Sequence, residues 1–370
     1  MQITGINQHH LSHGLDGAFE PTWFPEYFQG SHEVELFSIE TDAGITGYAA
    51  SPSFGGGLDY AGPLAAFLAG EDPHDVRGIR RKLESIGLVG PRPWHLEMAL
   101  WDIIGKDAGK PIYELLGGTG DPVPVYASTG QVIPADERID YVEERLAEGF
   151  EAVKLRVRTR DDLEVVRAVR ESFPDLPLMV DANKGWSIRV VADEERWKYK
   201  ESLAVARELD EIVGVELLEE PLPRHDFAGY ARLRENTTVP IAGGEFNDGL
   251  FQYREFARRD ALDVFQPDAA LATGILGATE VAAMAREAGA AFVPHTWTNG
   301  LGFVANLHVI AAVEAPWVEY PIDPPWTPEA RDFLLDRTFE PEDGMLAPPE
   351  GPGLGVELDE SVLAELAEGS

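Results

Sequence analysis

From residue 123 onward the chain alternates short apolar runs with amphipathic segments, and few architectures accept that rhythm. The runs are VPVYAST (123–129), AVKLRV (152–157), PLMVDAN (177–183), VELLEEP (215–221), PIAGGE (240–245), DVFQPDA (263–269), AFVPHT (291–296) and WVEYP (317–321). Between them lie segments such as DDLEVVRAVRESF, where Leu163, Val166, Val169 and Phe173 recur at helical spacing behind Asp161. Apolar strands joined by crossover helices make parallel sheet. Eight of them predict an α/β fold closed into a TIM-like barrel.

The part before residue 123 has a different rhythm. SHEVELFSIETDAGITGYAA reads as an antiparallel hairpin around TDAG, followed by the helical HLEMALWDIIGKDAG, so residues 1–122 are expected to form an α+β unit and residues 123–325 the barrel. The Pro- and Gly-rich tail, residues 326–370, shows no barrel pattern and is expected to pack back on the first unit. The glycine clusters FGGGLD and LLGGTG miss the dinucleotide fingerprint, and neither follows a strand and opens a helix as that motif requires.

Charge narrows the partners. Asp and Glu number 65 against 30 Lys and Arg, a formal charge of −35, and only seven of the basic residues are lysines. Acid spread along the whole chain, as in DEERW and EPEDG, implies a protein kept soluble in concentrated salt, where self-repulsion is screened, and hence a salt-loving source. Nucleic acid is excluded as a partner because no basic stripe is present to meet phosphates. The start MQITGINQHH has neither a basic segment nor an apolar run, and no stretch approaches the roughly 20 apolar residues that span a bilayer, so a cytoplasmic protein is expected. With no cysteine in the chain, any metal must be held by oxygen or imidazole.

In a barrel of this kind the chemistry sits where the strands stop. Here the stops carry Lys154 and Arg156, Asp181 and Asn183, Glu219 and Glu220, Glu245, Asp268, His295 and Glu319. Asp181, Glu219 and Glu245 on three successive strands would lie about 5 Å apart and repel. Unless one takes up a proton, a hard divalent cation must neutralise them, and an all-oxygen set suits Mg²⁺ better than a soft metal. Strand alternation allows only one of Glu219 and Glu220 to point inward, leaving the other to pair with a basic neighbour. Asp268 beside His295 fixes one imidazole tautomer and makes it a proton-transfer base. The alternation Val153, Leu155, Val157 outward sends Lys154 and Arg156 inward, toward the acids.

The ordered set K-x-R, D-x-N, L-E-E-P, G-G-E, Q-P-D, P-H-T and W-V-E-Y resembles the enolase superfamily, mandelate racemase-like group, over almost the whole chain, and residues 95–118 are similar to the last helix of that family's capping domain. The resemblance implies a (β/α)7β barrel under an α+β cap completed by the tail. It further implies one Mg²⁺ per site, with Mn²⁺ as a substitute, on Asp181, Glu219 and Glu245. The implied chemistry is removal of the proton α to a carboxylate to give an enediolate, with Asp268 and His295 as the acid/base dyad, Lys154 and Arg156 as the cationic side and a Glu319 hydrogen bond to the developing charge. Arg156 departs from the family's K-x-K pattern. A guanidinium is no base, which disfavours two-base racemisation, although Lys154, with its pKa lowered by Arg156, is a second candidate base.

The expected reaction is therefore dehydration of an acid sugar, an aldonate or aldarate, to its 2-keto-3-deoxy acid. A sugar-lactone cycloisomerase is the alternative, suggested by PHTWTNGLGFVANLH, and beyond it a racemase or epimerase of the same superfamily; an inactive barrel scaffold would lack ligands, and none is missing. Residues 9–28 and 51–57 are expected to form lid loops, with Trp23, Phe24, their histidines, Trp297 and Asn183 on the substrate. The expected partners are a small-molecule acid sugar or lactone and further copies of the chain in a homo-oligomer.

Overall fold

The computed structural model describes residues 1–53, 61–88, 90, 92–189, 191–192 and 196–368. Strands β1 (Ile3–Phe19), β2 (Gln29–Thr41) and β3 (Thr46–Pro52) form an antiparallel sheet in that order. The β2–β3 turn falls at the TDAG stretch, as the sequence predicts, and the helix Leu96–Ala108 packs against β3 with its buried face of Leu96, Ala99, Leu100 and Ile103.

Eight parallel strands follow: β4 (Val123–Ser128), β5 (Val153–Arg156), β6 (Leu178–Asp181), β7 (Val215–Glu219), β8 (Ile241–Gly243), β9 (Val264–Phe265), β10 (Ala291–Phe292) and β11 (Val318–Pro321). Their order is β10-β9-β8-β7-β6-β5-β4-β11. Crossovers run through the helices Ala135–Ala147, Leu163–Ser172, Tyr199–Asp210, Phe227–Glu235, Gly249–Arg258, Gly274–Glu287 and Gly300–Val313, which is the (β/α)7β plan. No ladder joins β10 to β11 among the described residues. Thr296 spans the seam instead, its amide donating to Glu319 Oε2 at 2.8 Å and its hydroxyl to the Glu319 carbonyl at 2.6 Å.

Each barrel strand is apolar on both faces because both are covered. Outward residues such as Val153, Leu155 and Val180 join the large core shared with the helices. Inward residues Tyr126, Ala152, Met179, Leu217, Ala242, Val264 and Val293 form a separate plug that closes the lumen. This plug is the floor on which the site stands.

The tail does two things. Gly353 docks on the helix Leu96–Ala108: its amide donates to Lys110 O, its carbonyl accepts from Ile112, and the Leu354 amide donates to Asp102 Oδ1 at 2.9 Å. A Cβ on Gly105 would lie 2.4 Å from Gly353 Cα, so only glycine lets the tail approach so closely. The tail also contributes β12 (Met345–Leu346), which pairs antiparallel with β4, an addition that its Pro- and Gly-rich composition does not announce. Residues 9–19, expected in a lid loop, instead belong to β1, where residues 9–14 and Phe19 pair with β2; the cavity lining from this segment begins at Trp23. Positions 54–57 of the second expected loop lie outside the described residues. No helix among the described residues is long and apolar enough to cross a membrane.

Candidate active site

Period-two alternation carries the lumen face upward from the plug. Two residues beyond Ala152, Met179, Leu217, Val293 and Tyr126 stand Lys154, Asp181, Glu219, His295 and Ser128. Asp268 lies four beyond Val264. Glu245 is out of phase with Ala242 and is returned to the lumen by Gly244, at φ 124°, a conformation open to glycine and strained for other residues.

Asp181, Glu219 and Glu245 converge as the sequence predicts: one oxygen from each lies within 4.8 Å of the others, and all three residues are buried. Burial, opposed by Arg156 but reinforced by Glu219, lifts Asp181 to about 6, and burial together with Glu220 holds Glu245 well above the usual carboxylate range. Glu219 Oε1 is buried without a hydrogen-bond partner. Glu220 does not find the basic partner expected of it. Its φ of 43° breaks the strand alternation, both its oxygens are buried and unpartnered, and burial beside Asp181 and Glu219 raises its pKa well above normal. Among the described residues, the ion pairs of the six buried carboxylates at the mouth are made by Lys154, Arg156 and His295. An oxygen-only donor set, an excess of acid and an orphaned carboxylate oxygen together fit a hard divalent cation such as Mg²⁺.

The cationic side is more firmly tied than the sequence implies. Lys154 Nζ lies 2.6 Å from Glu219 Oε2, 2.5 Å from Glu319 Oε1 and 3.7 Å from Asp181 Oδ2. Burial and Arg156 favour the neutral amine, but Glu219 and Glu319 outweigh them and hold the Lys154 pKa well above its ordinary value. The expected lowering by Arg156 is therefore reversed, because two carboxylates sit closer than the guanidinium. Glu319 is likewise spent: Oε1 takes Ser128 and Lys154, Oε2 takes the Thr296 amide, and despite burial Lys154, His295 and Arg156 pull it down to about 2. As an ionised acceptor it has no proton to donate to a developing oxyanion, so it anchors Lys154 instead. Arg156 pairs with Asp181 Oδ2, donates to Thr129 O and to Asn183 Oδ1 at 3.2 Å, and lies under the rings of Trp23 and Trp297 at 5.4 and 5.7 Å.

The dyad is built as expected and better supported. His295 Nδ1 donates to Asp268 Oδ2 at 2.8 Å, which leaves Nε2 facing Glu245 Oε2 at 3.5 Å. Asp268 Oδ1 accepts from the amides of Ala270 and Leu271 and from Asn306 Nδ2, so the carboxylate cannot turn. The chain after it makes one wide turn, Ala269–Thr273, with the Thr273 amide reaching back to Asp268 O. Such turns recur at functional sites because they re-aim the residue that precedes them. Burial opposes the imidazolium, but Glu245, Asp268 and Glu319 overcome it and raise His295 to about 9.

Above these groups lies a cavity of about 390 Å³ lined from both sheets. Of the expected substrate contacts, Trp23, Trp297 and Asn183 all reach it. Trp23 meets Trp297 edge to face at 5.1 Å, which ties the lid loop to the barrel. The histidines of residues 9–13 do not line it: His10 bonds Glu35, and His13 stacks on Phe333. Two others, His32 and His95, take their place, and Trp186, whose Nε1 donates to Glu245 Oε1, is a further contact that strand periodicity could not find because it lies beyond the end of β6.

Similarity to known proteins agrees with this geometry. Residues 137–362 match the family model "Enolase C-terminal domain-like", and residues 29–117 match "Mandelate racemase / muconate lactonizing enzyme, N-terminal domain". The chain is 31% identical to the D-galactarolactone cycloisomerase of Agrobacterium fabrum over 99% of its own length and 98% of the relative's, and 29% identical to the arabinonate dehydratase of Saccharolobus solfataricus over 90% of each. It superposes with a TM-score of 0.81 and 27% identity on the crystal structure of the L-talarate dehydratase from Polaromonas sp. JS666 complexed with Mg and L-glucarate, covering 98% of this chain and 96% of that one. The chain is an enzyme of the enolase superfamily, in the mandelate racemase/muconate lactonizing enzyme group.

Proposed function

We propose that the protein is a Mg²⁺-dependent lyase that dehydrates an acid sugar to its 2-keto-3-deoxy acid. The observation that carries the reading is the placement of His295: Nδ1 is fixed on Asp268, and Nε2 is aimed at the triad at Glu245. Asp181, Glu219 and Glu245 would hold the ion, which when bound supplies positive charge for the substrate carboxylate and for the second negative charge that grows as the α-proton leaves. Arg156, beside the Trp23 and Trp297 rings, and Lys154 would face the same carboxylate.

His295 Nε2 removes the α-proton, and the C–H electron pair passes into the enediolate. The imidazolium, steadied by Asp268, then gives that proton to the 3-hydroxyl; the C3–O bond breaks, water departs, and the resulting enol tautomerises to the 2-keto acid. His295 is preferred over Lys154 as the base because the first charged group raising its pKa, Glu245, belongs to the metal-binding triad, whereas Lys154 keeps Glu319 as a partner outside it. Arg156 in place of a second lysine leaves one face of the substrate without a base, which weighs against racemisation.

The test is exchange of the α-hydrogen in D₂O with galactonate, arabinonate and galactarate, with and without chelator, followed by detection of a 2-keto product. Metal-dependent exchange abolished by His295→Asn supports the reading; metal-independent exchange, or unchanged turnover by that variant, refutes it. Cycloisomerisation of a sugar lactone is the second reading, favoured by the 31% identity to a galactarolactone cycloisomerase. Ring opening of that lactone with no loss of water would select it.

A further inference from the structure

His32 stands on β2, in the cap sheet, yet its ring lines the same cavity as His295 and Glu245. The residue is 6% exposed, and its ring is wedged between Trp326, at 4.6 Å between centroids, and Phe333, at 5.5 Å edge to face. Its Nδ1 lies 2.8 Å from the carbonyl oxygen of Ala330. A carbonyl only accepts, so Nδ1 carries the hydrogen, and in the neutral ring the lone pair is on Nε2. Nε2 has no hydrogen-bond partner among the described residues and is not shut off in the interior. It therefore opens on the cavity that the ring lines.

The protonation state follows from the surroundings. Burial lowers the His32 pKa to about 4, with His13 adding to the lowering while the Ala330 carbonyl and Asp332 oppose it. The ring is neutral wherever the enzyme works near neutrality, and it offers the cavity an acceptor and no donor. A ligand carboxylate brought against that lone pair would be repelled; an aliphatic group would leave it unpaired. A hydroxyl satisfies it.

We infer that His32 Nε2 is a recognition element for one hydroxyl of the substrate, accepting its hydrogen from the cap side while the carboxylate end is held at the barrel. This deepens the reading of the enzyme as one that acts on acid sugars, and it rests on that reading. It also says what the cap rejects at this point: a second carboxylate, or the apolar side chain of an amino-acid substrate.

The experiment pairs His32→Phe, which keeps an aromatic ring between Trp326 and Phe333, with His32→Gln, whose amide can donate to Ala330 and present its oxygen to the cavity. Both are assayed beside the wild-type Mg²⁺ enzyme on the acid sugar that it turns over and on that sugar's monodeoxy analogues. Loss of a neutral hydrogen bond made equally in ground and transition states predicts KM raised about 10- to 100-fold by His32→Phe with kcat little changed. His32→Gln should recover to within a few-fold. One monodeoxy analogue should lose the same factor with the wild-type enzyme and nothing further with His32→Phe, as for two ends of one contact. The assignment is overturned if His32→Phe keeps its KM, if the loss falls in kcat alone, or if His32→Gln is as impaired as His32→Phe, which would mark a packing role. Where the wild-type enzyme exchanges the α-hydrogen of an acid sugar and His32→Phe matches it in every constant, the His32 assignment alone falls. Where no acid sugar exchanges, the functional reading falls and takes the hydroxyl with it.

Discussion

Glu97 offers a clean test of how the cap is fastened to the barrel. It lies on the helix Leu96–Ala108 and reaches the start of the barrel helix Gly274–Glu287, where Oε1 accepts from the Leu276 amide at 2.7 Å and from Trp101 Nε1 at 3.3 Å. The other oxygen, Oε2, is buried without a partner. Burial lifts its pKa from 4.5 to about 7, against the pull of Arg80 and of those two donors. Below the unfolded value both states hold the proton and stability is independent of this group. Between 4.5 and about 7 the unfolded chain releases its proton while the folded one keeps it, so stability falls as pH rises. The loss levels off above about 7, by which point a shift of this size costs on the order of 3 kcal/mol.

Glu97→Gln keeps the acceptor at Oε1 and cannot ionise. It should match the wild type near pH 5 and exceed it by roughly 3 kcal/mol near pH 8. Urea unfolding followed by tryptophan fluorescence at constant ionic strength reads the difference directly, and subtraction removes the titration common to both proteins. Glu97→Ala, which forfeits both hydrogen bonds and leaves a void but likewise cannot ionise, should be about 2–4 kcal/mol less stable than Glu97→Gln at every pH. A wild-type minus Gln difference that stays flat with pH would refute the reasoning, and so would a Gln variant weaker than wild type at alkaline pH.

Four further outcomes follow from the same geometry. Mg²⁺ affinity should fall steeply as the pH drops below about 6, because burial raises Asp181 to about 6 and holds Glu245 well above the usual carboxylate range, and both must release protons to bind; calorimetry in two buffers of different ionisation heat would show the protons released, and a pH-independent affinity would count against the triad. Lys154→Met should destabilise the protein by about 3–5 kcal/mol, since it leaves Glu219 and Glu319 buried without their cation, and saturating Mg²⁺ should restore part of that by relieving Glu219 but not Glu319. Gly105→Ala should cost about 1–3 kcal/mol by forcing the tail off the helix, visible as earlier proteolysis within residues 347–360. With a charge of −35, the melting temperature should climb as KCl is raised toward molar concentrations, whereas a flat or falling trend would remove the salt-loving reading.

Much of the barrel was legible because both faces of every strand are covered: eight apolar runs bounded by helix patterns leave little else to build, and alternation then dictates which side chains meet at the mouth. Lys154, Asp181, Glu219 and His295 all follow from counting by twos above the plug. Legibility failed where the backbone leaves the strand lattice. Glu220, at positive φ, no longer obeys alternation, and neither does the lid, whose partner Trp186 is placed by a loop. Asn306 is a different case, because its signal was present: a lone amide in a helix otherwise buried and mostly apolar from Gly300 to Ala311. A buried amide must be paired, and this one is: Oδ1 accepts from the Ala269 amide and Nδ2 donates to Asp268 Oδ1. It fixes the carboxylate that fixes His295.

The charges at the mouth were read correctly in sign and wrongly in rank. From the sequence, Arg156 is Lys154's nearest charged neighbour on the lumen face, and a like charge two residues away should push the amine toward neutrality. Across the lumen, however, the chain places Glu219 on β7 and Glu319 on β11 within 2.6 Å of the same nitrogen, while Arg156 is turned away to Asp181 and Thr129. Coulomb energy falls with distance and rises with desolvation, so contacts made by strand register overrule a neighbour made by sequence. On the proposed reading the same register bears on the reaction: with Lys154 held as a cation by a carboxylate outside the triad and Arg156 permanently charged, the β5 side of the mouth would bind the substrate's carboxylate and offer no base to its α-carbon. A two-base exchange of configuration needs that base. If Arg156→Lys, made to restore the K-x-K pair, conferred α-epimerisation while Lys154→Met did not remove the native reaction, the division of labour drawn here would hold; native turnover that vanished with Lys154→Met but survived His295→Asn would invert it.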